Sequence, residues 1–115
     1  MNREYKLYLE DIIESIGYVE QDLEGVEKAS FLNTRQIQDL AVHRLEIIGE
    51  AAGNVPDELK VKYPEIAWRE ISDMRNKLSH EYFGVKLEVV WETVKNDLPR
   101  LKEVVSKIIN DLNEQ

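Results

Sequence analysis

The sequence predicts an all-α fold, an antiparallel helical bundle of four longer helices plus a short one. Three observations carry this expectation. Apolar residues recur at spacings of three and four through long stretches, the period of a helix with one buried face. Only three prolines and five glycines interrupt 115 residues. No repeat, low-complexity segment or convincing strand competes with the helical reading. The length fits a single domain over residues 1–115, with a core small enough that association would help it.

The first helix is expected from about Glu4 to Leu23. Tyr5, Tyr8, Leu9, Ile12, Ile16, Val19 and Leu23 follow helical spacing, and Gly25 is a natural stop. The second is expected to start near Asn33, where Asn33 and Gln36 resemble a capping box. Its apolar stripe is Ile37, Leu40, Ala41, Leu45, Ile48 and Ala52, and Gly53-Asn54 ends it. Gly49 costs helix stability, so it points to a close helix approach. Arg44 falls on the apolar side, where an arginine needs a partner or must reach the edge. It pairs structurally there, or it faces a site across the bundle. His43 and Glu46 are placed on the opposite, solvated face.

Pro56-Asp57-Glu58-Leu59 begins the short helix, with acids in its first turn. Pro64-Glu65 then opens a helix with a core face of Ala67, Trp68, Ile71, Met74 and Leu78. Gly84 can close it with a left-handed turn. The last helix is expected over about Leu87 to Leu112. Its seam is Leu87, Trp91, Val94, Leu98, Leu101, Val105, Ile108 and Leu112. Pro99 should disturb it.

Composition removes several function classes. There is no cysteine, hence no disulfide, thiolate zinc site or cysteine nucleophile. Two histidines and scattered carboxylates give no case for a metal cluster or a cofactor. Gly-rich phosphate loops are absent. No run of about 18 apolar residues suggests a membrane span. Met1-Asn2-Arg3-Glu4 lacks the apolar core of a signal peptide, so a cytoplasmic location is expected. The net charge is −8. A nucleic-acid binder of that charge needs a local basic cleft, for which Arg69, Arg75, Lys77 and Lys86 are the candidates. The acidic exterior otherwise suits a basic protein partner.

The chemistry concentrates in Arg75-Asn76-Lys77-Leu78-Ser79-His80-Glu81-Tyr82. Arginine forks onto phosphate oxygens. Histidine gives or takes a proton near neutral pH. Tyrosine offers a hydroxyl that binds phosphate or is itself modified. These groups suit metal-independent RNA cleavage, in which the ribose 2′-hydroxyl attacks the adjacent phosphorus and leaves a 2′,3′-cyclic phosphate. His80 would move a proton and Arg75 would stabilise charge on the phosphoryl oxygens. One geometric difficulty stands. On a straight helix His80 lies about 140° round from Arg75. Either the arginine's length covers the gap, or the helix distorts near Ser79, or two subunits combine their residues. A structural role is the competing reading, with His80 as a helix-end histidine and Arg75 as its ion-paired neighbour.

The Arg-x4-His-x-Tyr pattern, its Tyr-Phe-Gly close, Leu87-Glu88-Val89-Val90-Trp91 after it and Ala41-Val42-His43-Arg44-Leu45-Glu46-Ile47-Ile48-Gly49-Glu50-Ala51 before it form one constellation. It resembles the HepT-like ribonuclease toxins of the HEPN superfamily, from about Tyr8 to Leu101. The resemblance implies an endoribonuclease toxin with Arg75 and His80 as catalytic residues and Asn76 as a positioning residue. It implies a homodimer with a shared cleft. It also implies a partner, an MntA-like nucleotidyltransferase antitoxin that transfers AMP onto Tyr82. Lys86 departs from the family, which often has an acidic residue there, so the last helix is expected to start without a good cap. Two alternatives remain: a non-catalytic helical module that holds a nucleotidyltransferase, and a nucleotide-binding domain that has lost cleavage.

Overall fold

The structure, a computed structural model, describes residues 3–80 and 86–114, and side chains throughout these except at 3, 4, 75–77, 79 and 80. It is helical, with no strand among the described residues. The elements are α1 (Arg3–Asp22), α2 (Lys28–Asn33), α3 (Arg35–Asn54), α4 (Asp57–Lys62), α5 (Trp68–His80), α6 (Leu87–Glu92), a π-helical turn (Thr93–Asp97) and α7 (Leu98–Asn113). The π turn joins α6 and α7 end to end. The four longer helices of the sequence reading are therefore α1, α3, α5 and this composite last helix.

The core runs along α1, which packs against both α3 and α7. Leu9, Ile12, Ile16 and Val19 of α1, Ile48 of α3 and Val105 and Ile108 of α7 are all fully buried. The expected seam of the last helix is the face that packs on α1, and it buries Val94, Leu98 and Leu101 as well. Each such side chain contributes about 1.5–3 kcal/mol by leaving water. α1 ends as expected. Gly25 takes a positive φ of 75°, which a glycine adopts without strain, and the Val26 N–H donates to the Leu23 carbonyl at 3.0 Å.

Several expectations need correction. Asn33 does not cap α3. A separate short helix, α2, precedes α3, and the Asn33 side-chain amide donates back to the Ala29 carbonyl at 2.8 Å, inside that helix. Thr34 takes the cap position of α3 without a side-chain bond. Phe31 of α2 is fully buried and meets Trp91 with ring centroids 5.3 Å apart. Gln38, not Leu40, belongs to the buried stripe of α3: its amide donates to the Phe31 carbonyl at 2.9 Å, while Leu40 is 45% exposed. The motif helix starts at Trp68 rather than Pro64, and Ala67 is exposed. Pro99 sits in the first turn of α7, and the disturbance falls just ahead of it, in the π turn. A proline removes a donor and crowds the carbonyl four residues back, and the wider π turn accommodates that loss. Lys86 occupies the cap position of α6 with no side-chain cap bond, as expected.

α5 runs antiparallel to α3. A Cβ placed on Gly53 would come within 2.9 Å of the Ser72 Oγ. Six residues further along α5, Leu78 faces Val42, His43 and Glu46. Gly49 is buried, and a close approach is seen at Gly53.

Candidate functional site

The motif residues ride on α5, which remains α-helical through His80. Arg75, Asn76, Lys77 and His80 are therefore fixed as backbone positions on one uninterrupted helix. A distortion near Ser79 does not occur, so the offset of about 140° between Arg75 and His80 stands. The side chains of these four residues, and all of Tyr82, lie outside the described residues. Arg69 is exposed in the first turn of α5. It stands about 16 Å along the helix axis from His80 at 1.5 Å per residue. That separates it from any phosphate at His80, and it can meet only a different part of a bound strand.

Two features anchor α5 from its start. The Trp68 indole N–H donates to the Tyr63 carbonyl at 3.0 Å. The Tyr63 hydroxyl donates to Asp111 Oδ2 at 2.7 Å, which ties this corner to α7. The carboxylate accepting that proton, with partial burial and the nearby charges of Asp111 and Glu65, pushes Tyr63 up to about 12. α3 supplies the rest of the support through the Gly53–Ser72 approach and the buried Leu78.

On its other side α5 borders an open groove of 430 Å³. Ile71, Met74 and Leu78 face Val89, Val90 and Leu101 across it, with the exposed Glu65, Glu70 and Asp97 among its lining residues. At the α3–α5 seam lies a second, shallower hollow of 230 Å³, bordered by Asp39, Val42, His43, Glu46 and Leu78. His43 is exposed, as the sequence suggested. Yet the solvated side of α3 on which it stands is also the side that α5 approaches. Helical period alone could not show this, because it separates apolar from polar faces without saying which neighbour flanks them.

Arg44 does not face α5. Its guanidinium stacks over the Tyr18 ring of α1, 4.5 Å from the centroid. Such a contact contributes about 0.5–1 kcal/mol near a surface, and the buried Arg44 Nε has no hydrogen-bond partner. Among the described residues no group of three or more acidic, histidine or cysteine side chains could hold a metal. No described helix is long and apolar enough to cross a membrane.

The chain matches the family profile described as Ribonuclease HepT-like over residues 12–108. A Thermococcus cleftensis protein named "Probable ribonuclease HepT" is 45% identical over 108 residues, covering 94% of this chain and 98% of that relative. A Methanocaldococcus jannaschii protein named "Gamma-glutamylcyclotransferase and putative RNase" is 41% identical over 114 residues, 99% of this chain. The chain spans only 51% of that relative's length. No solved structure matches significantly. The matched span contains α3, α5 and the whole Arg-x4-His-x-Tyr motif, and the chain belongs to the ribonuclease HepT-like family.

Proposed function

We propose that this chain is a metal-independent endoribonuclease, the toxin of a HepT/MntA-type (type VII-like) toxin–antitoxin pair. The observation that carries the reading is the family match over residues 12–108, which includes Arg75 and His80 on α5. The ribose 2′-hydroxyl attacks the adjacent phosphorus, the 5′-oxygen leaves, and a 2′,3′-cyclic phosphate remains. His80 moves a proton in this step. Arg75 meets the charge that builds on the phosphoryl oxygens. Asn76, Lys77 and Arg69 position the strand. The metal-free route is supported by the motif itself, which supplies both a proton carrier and a fixed positive charge.

A homodimer is part of the proposal. The unbroken α5 keeps Arg75 and His80 on different faces, so residues from two copies around one cleft would resolve the offset. Control by an MntA-like nucleotidyltransferase is the remaining part: AMP added to Tyr82, seven residues after Arg75 in the sequence, would bring a phosphate to the motif and obstruct RNA by charge and size. The acidic net charge of −8 favours one other reading, a non-catalytic module that holds such a transferase.

RNA cleavage in EDTA separates the two. The wild-type chain should yield 2′,3′-cyclic phosphate ends. Arg75→Ala and His80→Ala should each lower the rate by about 10²–10⁴-fold with the fold intact. Equal cleavage by both folded variants would remove the mechanism. Mass spectrometry after incubation with the transferase and ATP tests Tyr82: inhibition without an AMP-sized adduct there would mean control by binding alone.

A further inference from the structure

We infer that the groove between α5 and the composite last helix is a docking site for a basic amphipathic helix of a partner protein. The inference goes beyond the ribonuclease reading and stands independently of it.

The groove is an apolar trough with acidic edges. Ile71, Met74 and Leu78 form one wall, and Val89, Val90 and Leu101 face them. Val89 is 56% exposed, and Ile71 and Met74 are half-buried, so apolar surface meets water along both walls. Covering such a strip is favourable in proportion to the apolar area removed from water. The strip also has helical dimensions. One wall runs about 12 Å from Glu70 to Leu78, and the other about 18 Å from Val89 to Leu101, at 1.5 Å per residue. Two to three turns of an incoming helix match that length. The 430 Å³ between the walls receives the side chains on one face of such a helix, at i, i+3 or i+4, and i+7.

Charge selects the occupant. Glu65, Glu70 and Asp97 are exposed at the groove, against one lining cation among the described residues, Arg100. None of the three carboxylates is ion-paired among the described residues. Glu65 and Glu70 flank the start of α5, and Asp97 closes the π turn on the opposite wall. Lysines or arginines bordering the apolar stripe of a bound helix can therefore reach a carboxylate on either side, their stems lying on the apolar surface. RNA is a poor occupant, because its phosphates meet like charge and an apolar floor. A second copy of this chain carries the same net charge of −8, which opposes its entry.

The test uses the full chain and two labelled peptides of about 14 residues, enough for nearly four turns. Both carry leucines at helical three and four spacing, one with lysines and the other with glutamates at the remaining positions. Fluorescence anisotropy should show the lysine peptide binding at least about tenfold more tightly than the glutamate peptide. Glu70→Lys combined with Asp97→Lys should weaken the lysine peptide by about fivefold or more and strengthen the glutamate peptide. Glu103→Lys, exposed on α7 outside the groove, should leave both within about twofold. Val89→Asp is the decisive variant. It adds a negative charge at an exposed position, so attraction by charge alone predicts tighter lysine-peptide binding. Docking on the apolar wall predicts binding about fivefold weaker or more.

A gain with Val89→Asp would overturn the proposal, as would equal losses from Glu103→Lys and the groove pair. Failure of the wild-type chain to bind either peptide would overturn it too. Light scattering tests the remaining occupant: a wild-type dimer that Val89→Asp converts to a monomer would assign the groove to a second copy instead. Thermal unfolding of each variant should match wild type, since the substituted side chains are exposed. RNA cleavage is read separately, and an inactive wild-type chain that still binds the lysine peptide would remove the ribonuclease reading and leave this one.

Discussion

The two flanks of α3 are built differently. On one, α1 packs along it and, with α7 against α1, encloses a layer of fully buried aliphatic side chains. On the other, α5 lies against α3 but faces α6 and α7 across an open 430 Å³ groove, where Ile71 and Met74 remain only half-buried. The motif belongs to the second flank. A closed layer supplies stability through area removed from water. An open one forgoes part of that gain and leaves accessible space along α5, the helix on which Arg75 and His80 are carried. The division separates what holds the fold from what acts, and it predicts that substitutions on the two flanks should differ in kind.

The largest contrast is in stability. Ile12→Ala and Phe31→Ala remove fully buried side chains and should cost about 2–5 kcal/mol each, as transfer and cavity terms add. Met74→Ala at the groove should cost less than about 1.5 kcal/mol, since the groove wall already lacks partners on one side. Urea unfolding measures all three. Equal costs at Ile12 and Met74 would mean that the groove is closed in solution, and the comparison would fail.

The closed flank was legible in the sequence and the open one only in part. Unbroken 3–4 spacing from Leu87 to Leu112 identified the α7 seam, because a long stripe has one way to be buried. α2 escaped notice because six residues are too few to show a period. Asn33 was then read as the cap of the next helix, since Asn-x-x-Gln matches a capping box whether or not the helix starts there. Leu40 was assigned to the core, but Gln38 takes the inward place and Leu40 stands exposed. Arg75 and His80 were legible as helix positions, and the unbroken α5 removes one of three explanations for their offset. His43 was assigned to solvent correctly, and its place beside α5 was not legible, because which helix flanks a polar face depends on tertiary packing.

A smaller effect tests the corner that joins the flanks. The Tyr63 hydroxyl bonds Asp111 at 2.7 Å and is pushed up to about 12. A pKa raised on folding means that the bond's stability is fully present below the unfolded value near 10 and is lost as pH rises through the folded value. Tyr63→Phe should therefore cost about 1 kcal/mol at pH 7, a figure reduced for partial exposure. The wild-type and variant stabilities should converge between about pH 10 and 12. A difference that persists at the alkaline end would show that packing of the ring, not its hydroxyl, ties α7 to this corner.

The smallest effect lies at the contact between α3 and α5 themselves. Gly53 has no positive φ, so alanine is conformationally allowed, and replacing a helical glycine by alanine favours the helix by up to about 1 kcal/mol. Opposing this, the new Cβ would stand 2.9 Å from Ser72 Oγ. That oxygen is the end of a short side chain and can rotate, at a cost comparable to the gain. Gly53→Ala alone should thus change stability by less than about 1 kcal/mol. In a Ser72→Ala background the obstruction is gone, and the same substitution should stabilise by about 0.5–1 kcal/mol. The double-mutant cycle should accordingly show a coupling of at least about 0.5 kcal/mol. If the two substitutions add without coupling, Ser72 is not the atom that sets the α3–α5 spacing. The close approach would then have to be explained by the buried Leu78 at the far end of the seam, beside the residues that carry the proposed chemistry.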